Sequence, residues 1–454
     1  MKRTLFLCLL IAAPLGAVAT SAQLTARDPG VRSGPAGAGE ALPGLTTTQQ
    51  ALFDAGLDAF SEADTVGSGL GPRFNLDSCG GCHAQPSVGG TSPAVNPQVE
   101  IATAFGARNR VPSFITLDGP VREARFKYNA DGTRDGGVHA LFVISGRNDG
   151  TDASKCAIQQ ESFEPHVARG NVVFRIPTPV FGLGLVEQIP DSAILANQVA
   201  GAATKTALGI VGRPQRLLPT GNPNRNGNDG TVARFGWKAQ NKSLLLFAGE
   251  AYNVEQGVSN ELFPTERDET SNCQYVATPN DTTNFDGTGL GALSDVELFA
   301  AFMRFLAPPQ PSSDTPGGAA SITRGRAFFA TVGCALCHTP TLRTGASSVA
   351  ALGYQPVNLY SDLLLHRMGP GLADDVIQGT ADPDEFRTAP LWGLGKRIFF
   401  LHDGRTNDVV EAIRAHRSAG NRQFGASEAN GVIDRFNALS DAQKGDLLNF
   451  LRSL

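Results

Sequence analysis

The sequence predicts a mainly α fold of two unequal but related units, the first enlarged by a loop-rich insertion with short strands. Three observations predict it. One cysteine motif occurs twice, as Cys79-Gly80-Gly81-Cys82-His83 and Cys334-Ala335-Leu336-Cys337-His338. Each half closes on a similar helical signal: Leu293-Ser294-Asp295-Val296-Glu297 and Leu439-Ser440-Asp441-Ala442-Gln443 both set Glu or Gln three residues after Ser, ahead of an apolar run. The chain also carries 52 glycines and 28 prolines in 454 residues, and the turn-rich surplus falls mostly between residues 90 and 290.

Composition narrows the function classes. The length allows two or three packed cores. A net charge of −5 leaves no excess of Lys and Arg to neutralise phosphates, which excludes a general nucleic-acid binder. Seven cysteines are too few for a disulfide scaffold.

At the amino terminus, Lys2 and Arg3 precede an apolar run over 5–18 that ends in small residues, with Ala17-Val18-Ala19 and Thr20-Ser21-Ala22 as cleavage sites. Residues 1–22 read as a signal peptide of an exported, periplasmic protein. The run is short for a membrane span, and Cys8 leaves with it. The next element is an amphipathic helix over 48–60, with Leu52, Phe53, Leu57 and Phe60 at helical spacing.

The paired motif C-x-x-C-H is the attachment signal of c-type haem. Two thiols three positions apart reach the two vinyl groups on one porphyrin edge, and the adjacent histidine ligates the iron. A four-cysteine zinc site is disfavoured, because the pairs are far apart and each carries its own histidine. A thioredoxin-like pair lacks a βαβ context. Cys79, Cys82, Cys334 and Cys337 therefore attach two haems, with His83 and His338 as iron ligands. The two remaining cysteines, Cys156 and Cys273, form a disulfide in an oxidising compartment; two separate buried thiols are the alternative.

Around these motifs the reading gives two cytochrome c-like haem domains, at 40–307 and 319–454, joined by a Pro/Gly-rich linker at 308–318. Strand-like runs at 140–144 and 172–176 belong to the insertion, and 222–230 reads as a solvated loop. In the second unit a helix over 323–332 leads into Cys334, with Gly325 suited to a close crossing and Phe328 and Phe329 to covering a haem edge. A further helix is expected over 407–417.

Several longer runs carry a resemblance. They are Phe74-Asn75 through His83, Phe181-Gly182-Leu183-Gly184-Leu185-Val186-Glu187, and Arg234-Phe235-Gly236-Trp237-Lys238-Ala239. Further on come Leu363-Leu364-Leu365-His366-Arg367-Met368-Gly369, Phe386-Arg387-Thr388-Ala389-Pro390-Leu391-Trp392-Gly393 and Leu401-His402-Asp403-Gly404-Arg405. Together they resemble the di-haem oxidoreductase family, described as peroxidases or thiol oxidoreductases. That family is related to bacterial di-haem cytochrome c peroxidases and to the methylamine-utilisation di-haem enzyme.

The resemblance implies site residues. In the related peroxidases the electron-donating haem takes its second ligand fourteen residues after the histidine of the His-Asp-Gly run, here His416, with His366 or Met368 as competitors. A second histidine in place of methionine lowers the potential. His402, with Arg387 or Arg405, is expected near a haem propionate. The related peroxidases carry a distal histidine soon after the first motif, but none follows His83 until His139; either His139 reaches the first iron or that iron has an open site. Trp237 matches a tryptophan between the haems. Glu255, eighteen residues on, matches a catalytic glutamate, with Glu250 as alternate and Glu187 a weaker candidate.

The implied function is hydrogen peroxide reduction at the first haem, with electrons relayed through the second from a small periplasmic donor of the cytochrome or cupredoxin type. The alternative is a non-catalytic two-haem electron-transfer protein. Oxidation of a thiol substrate finds no site beyond Cys156 and Cys273. The resemblance also allows Ca2+ between the domains, although no oxygen-ligand loop is visible.

Overall fold

The computed structural model describes residues 26–144, 156–216 and 231–454. The signal segment at 1–22 with Cys8, and the loop at 222–230, lie outside the described residues. Helices dominate, and the strands run only two to four residues. The architecture is mainly α at this level.

Each unit is held by one crossing of an opening and a closing helix. In the first, Thr47–Ser61 packs on Asp295–Phe305. In the second, Gly318–Val332 packs on Asp441–Ser453. Thr46 with Gln49, Ser294 with Glu297 and Ser440 with Gln443 each form a full capping box, so three of these four helices start where two orphan backbone donors are satisfied reciprocally. A glycine marks each crossing. A Cβ on Gly56 would stand 2.4 Å from Leu298 O, and one on Gly325 2.0 Å from Asp446 O. Aromatic pairs flank both points: Phe53 and Phe60 on Phe302 (ring centroids 5.5 and 4.9 Å), and Phe329 on Phe450 (5.4 Å). Gly56 is the counterpart of Gly325 that the sequence reading passed over.

Gly325→Ala is therefore expected to destabilise the second unit. Alanine gains about 1 kcal/mol of helix propensity, but its methyl meets a backbone carbonyl that cannot turn away, and overpacking of this kind costs about 1–3 kcal/mol. A lowered thermal midpoint of the holoprotein checks this; an unchanged or raised midpoint sinks it.

Within the insertion the strand expectation shortens. Phe142–Val143 pairs antiparallel with Arg73–Phe74, next to the first cysteine motif. Val172–Arg175 pairs with Glu123–Phe126, which also pairs with Val138–His139. Cys156 and Cys273 are joined by a disulfide packed among Val143, Ile158 and Tyr275.

The two halves are not separate beads. The main hydrophobic cluster combines Phe53, Phe60 and Phe302 with Val357, Leu359, Leu364 and Trp392. The residues before the opening helix, from Ala26 on, form an arm laid on the second unit. Asp28 pairs with buried Arg452 (2.7 and 2.5 Å), and Lys396 Nζ donates to the carbonyls of Arg32, Ser33 and Gly34. The 308–318 stretch is pinned as well, through Arg32 with Asp314 and through Ser312 N to Ser453 O. Among the described residues no helix is long and apolar enough to cross a membrane.

Candidate functional site

Two cavities open beside the two cysteine motifs. The first is built on the one-turn helix Cys79–Cys82, capped by Ser78, whose hydroxyl accepts from Gly81 N at 3.3 Å. A Cβ on Gly80 would stand 3.2 Å from Phe60 O, so the end of the opening helix packs tightly over this turn. His83 Nδ1 donates to Gly90 O at 3.0 Å. This fixes the tautomer that leaves Nε2 as the ligand nitrogen. Burial pushes the His83 pKa down to about 4, so the ring is neutral and able to bind a metal at neutral pH.

The far wall of this cavity carries the expected carboxylates. Glu255 lies in a π-helical turn, Tyr252–Gln256, that continues the helix Leu244–Ala251. Such local widening of a helix recurs at functional sites. Burial, with Glu123 and Glu250 adding to it, pushes the Glu255 carboxyl up to about 8, against Arg125. Glu255 is half-buried and lines the cavity. Glu250 lines the same cavity, but its carboxylate is held by the Asn241 amide. Glu187 is committed elsewhere, to Leu244 N and Arg304.

His139 does not reach this cavity. It stacks on Phe126 (3.8 Å) and turns its two ring nitrogens to Asp135 (3.0 Å) and Glu161 (3.6 Å). The register of the Val138–His139 strand turns Val138, not His139, to the cavity wall. His83 is the one histidine of the described residues that lines the first cavity. The option of His139 as distal ligand is corrected by this placement.

The second cavity is framed by Cys334, Cys337, His338 and His416. His338 Nδ1 donates to Tyr360 O (3.1 Å) and His416 Nδ1 to Ala412 O (2.7 Å), so each again keeps Nε2 for a metal. Burial lowers both pKa values, that of His338 to about 4 with His416 contributing. His416 caps the helix Val409–Ala415, which is shorter than the expected 407–417. Met368 also lines the cavity. His366 does too, but its Nε2 and Nδ1 are taken by Asp362 (3.0 Å) and Glu428 (2.8 Å), which leaves no lone pair for iron. Donor atoms of Cys337, Asp362 and His366 lie within 4.8 Å of one another. A thioether at Cys337 would take the sulfur and leave Asp362 and His366 as a buried ion pair.

His402 stacks on Phe386 (4.4 Å) and stands edge-on to Trp237 (6.4 Å). Trp237, anchored by Nε1 on Ile176 O (3.0 Å), lines both cavities. Of the arginines expected near a propionate, Arg387 lines the second cavity while Arg405 pairs with Asp403 at the surface. Sequence reading missed Arg397 in the second cavity, and Arg122 and Arg175 in the first. Arg122 Nε and Arg175 Nε are buried without a hydrogen-bond partner among the described residues. Two orphaned guanidinium N–H groups match the two propionates of a haem, and with the free thiols and neutral imidazoles they make the residues present a fit for that group.

A family described as "Di-haem oxidoreductase, putative peroxidase" matches residues 123–454. The chain belongs to this family. The matched segment holds the second cysteine motif, Glu250, Glu255, Trp237 and His416; the first motif precedes it. Among solved structures, hydrazine synthase of Kuenenia stuttgartiensis, pressurised with xenon, is 12% identical with a TM-score of 0.35, covering 99% of this chain and 100% of its own. A MauG-like protein associated with microbial copper homeostasis is 17% identical with a TM-score of 0.28, covering 61% of this chain and 89% of its own. Neither likeness is close enough to carry an argument about this di-haem oxidoreductase. No curated protein matches it.

Proposed function

We propose that this chain is an exported di-haem c-type peroxidase that reduces hydrogen peroxide in the first cavity, with electrons supplied through the second. The observation that carries the reading is the pairing, in one cavity, of a single histidine with a half-buried glutamate whose carboxyl accepts no hydrogen bond among the described residues. A haem bound beside His83 would supply one-electron chemistry at its iron. Cys79, Cys82, Cys334 and Cys337 hold the two haems as thioethers, and His83, His338 and His416 offer Nε2 as ligands.

Glu255 moves the proton. Its carboxylate accepts one from the near oxygen of peroxide and returns it to the far oxygen, so that the far oxygen leaves as water rather than hydroxide. Two electrons from a small periplasmic donor of the cytochrome or cupredoxin type, with two protons, complete the conversion of one peroxide to two waters. Trp237 shortens the path between the haems, because one indole borders both cavities. Arg122 and Arg175 line the first cavity and would hold the propionates of a haem there; Arg387 and Arg397 line the second.

The deciding measurement is the EPR spectrum of the holoprotein, fully oxidised and reduced by one electron, with and without peroxide. A high-spin ferric signal that peroxide alters is the expected result. Low-spin signals alone in both states, indifferent to peroxide, would make the protein a two-haem electron carrier.

A further inference from the structure

Of a buried ion cluster between the cavities, only Arg175 enters the reading above; Asp374 and Lys238 do not. Arg175 ends the strand Val172–Arg175; its Nη2 donates to Asp374 Oδ2 at 2.6 Å and its Nη1 to Gln378 Oε1 at 2.6 Å. Lys238 Nζ lies 3.1 Å from Asp374 Oδ1 and donates to the carbonyls of Asp382 (2.9 Å), Pro383 (3.1 Å) and Glu385 (3.0 Å). The side chains of Arg175, Lys238 and Asp374 are 4%, 0% and 1% exposed. Four oxygen acceptors around one nitrogen demand an ammonium, and the two cations hold Asp374 ionised between them.

The two ends of this cluster reach different haem sites. Arg175 lines the first cavity, and its buried Nε has no partner among the described residues. Lys238 Nζ lies 4.1 Å from the centroid of the Phe386 ring, which lines the second cavity and stacks on His402. A packing staple explains neither the orphaned N–H nor the placement against both cavities. It is also an expensive staple, since buried ions cost desolvation that apolar side chains of the same size would not.

We propose that Arg175, Asp374 and Lys238 are positioning residues that set the reduction potentials of the two haems together, Arg175 Nε taking a propionate of the first haem. Charges in a dry interior act over long distances with little screening. A fixed cation favours the reduced iron, which carries one positive charge less; a fixed anion favours the oxidised one. The two signs of charge in the cluster therefore make opposite predictions. The proposal rests on both cavities carrying haem, as proposed above, but not on peroxide being the substrate.

The test is spectroelectrochemical titration of the holoprotein, without peroxide, with EPR to show that iron coordination is retained. Lys238→Met is expected to lower the midpoint potentials of both haems and Asp374→Asn to raise both. Lys238→Arg, which keeps the charge, should return both towards wild type. Arg175→Lys keeps the charge but withdraws the Nε donor, and should move the first haem more than the second. Shifts of the same sign in the Met and Asn variants, as water admitted by loosened packing would give, overturn the proposal. So does a shift confined to one haem. If Lys238→Met does not fold, Asp374→Asn with Lys238→Arg carries the same decision: no rise in the first, or a large fall in the second, overturns it. Failure of peroxide reduction with these shifts intact would refute the peroxidase reading alone.

Discussion

Glu255→Gln is expected to reduce peroxide turnover by about 10²–10⁴-fold, the range for loss of a positioned general acid–base, while both haems remain attached and their resting spectra unchanged. Glutamine keeps the size and polarity of the side chain but can neither take nor return a proton. The wild-type pH profile should show the same group. Burial holds the carboxyl near 8, so at pH 7 about one molecule in ten carries the ionised form that accepts the peroxide proton. Turnover should climb with pH through this value and level off above it, and that limb should vanish in Glu255→Gln. Glu250 is the built-in control. Its carboxylate is held by Asn241, whereas the Glu255 carboxyl accepts no hydrogen bond among the described residues. Glu250→Gln should therefore cost much less. Undiminished turnover in Glu255→Gln, or a larger loss in Glu250→Gln, would transfer the role to another group.

What the sequence made legible was local. The two cysteine motifs and the Ser294 and Ser440 capping boxes are complete within a few consecutive residues, because the chemistry they serve is satisfied within one turn of chain. Gly325 was legible as a crossing glycine because aromatic residues stand beside it; Gly56, with Phe53 and Phe60 at helical spacing, carries the same cue and was passed over. What was not legible is set by approach in space. His139 was considered a ligand for want of a nearer histidine, yet strand pairing turns it onto Phe126 and two carboxylates. Arg122 and Arg175 sit in no motif and acquire meaning only as orphaned donors in a shared cavity. Lys238 stood inside a quoted run, but its ion pair with Asp374 joins segments far apart in the chain. Likewise the arm ahead of residue 40 gave no signal of its attachment to the second unit, which rests on the Asp28–Arg452 pair.

His416→Gly is expected to convert the second haem from low spin to high spin, with added imidazole restoring the low-spin signal. The geometry gives reasons to choose among the three candidates at this cavity. His366 would have to break two carboxylate contacts, in a buried site, before either nitrogen could bind iron. The Met368 side chain lines the cavity without a hydrogen bond among the described residues. His416 is held as a ligand should be: Asp408 caps the start of its helix (2.7 and 3.0 Å), Ser427 Oγ donates to its carbonyl (2.6 Å), and Ala412 O fixes its Nδ1 proton. Met368→Leu should thus leave the low-spin signal intact, and its loss there would reassign the ligand. His416→Met carries the sharper consequence. A thioether in place of imidazole raises the potential of a haem, so the second haem would hold its electron more tightly and pass it to the first more slowly. Turnover should fall even though the iron remains six-coordinate and the first cavity is untouched. That combination, an unchanged peroxide site starved of electrons, is expected only if electrons reach the first haem through the second.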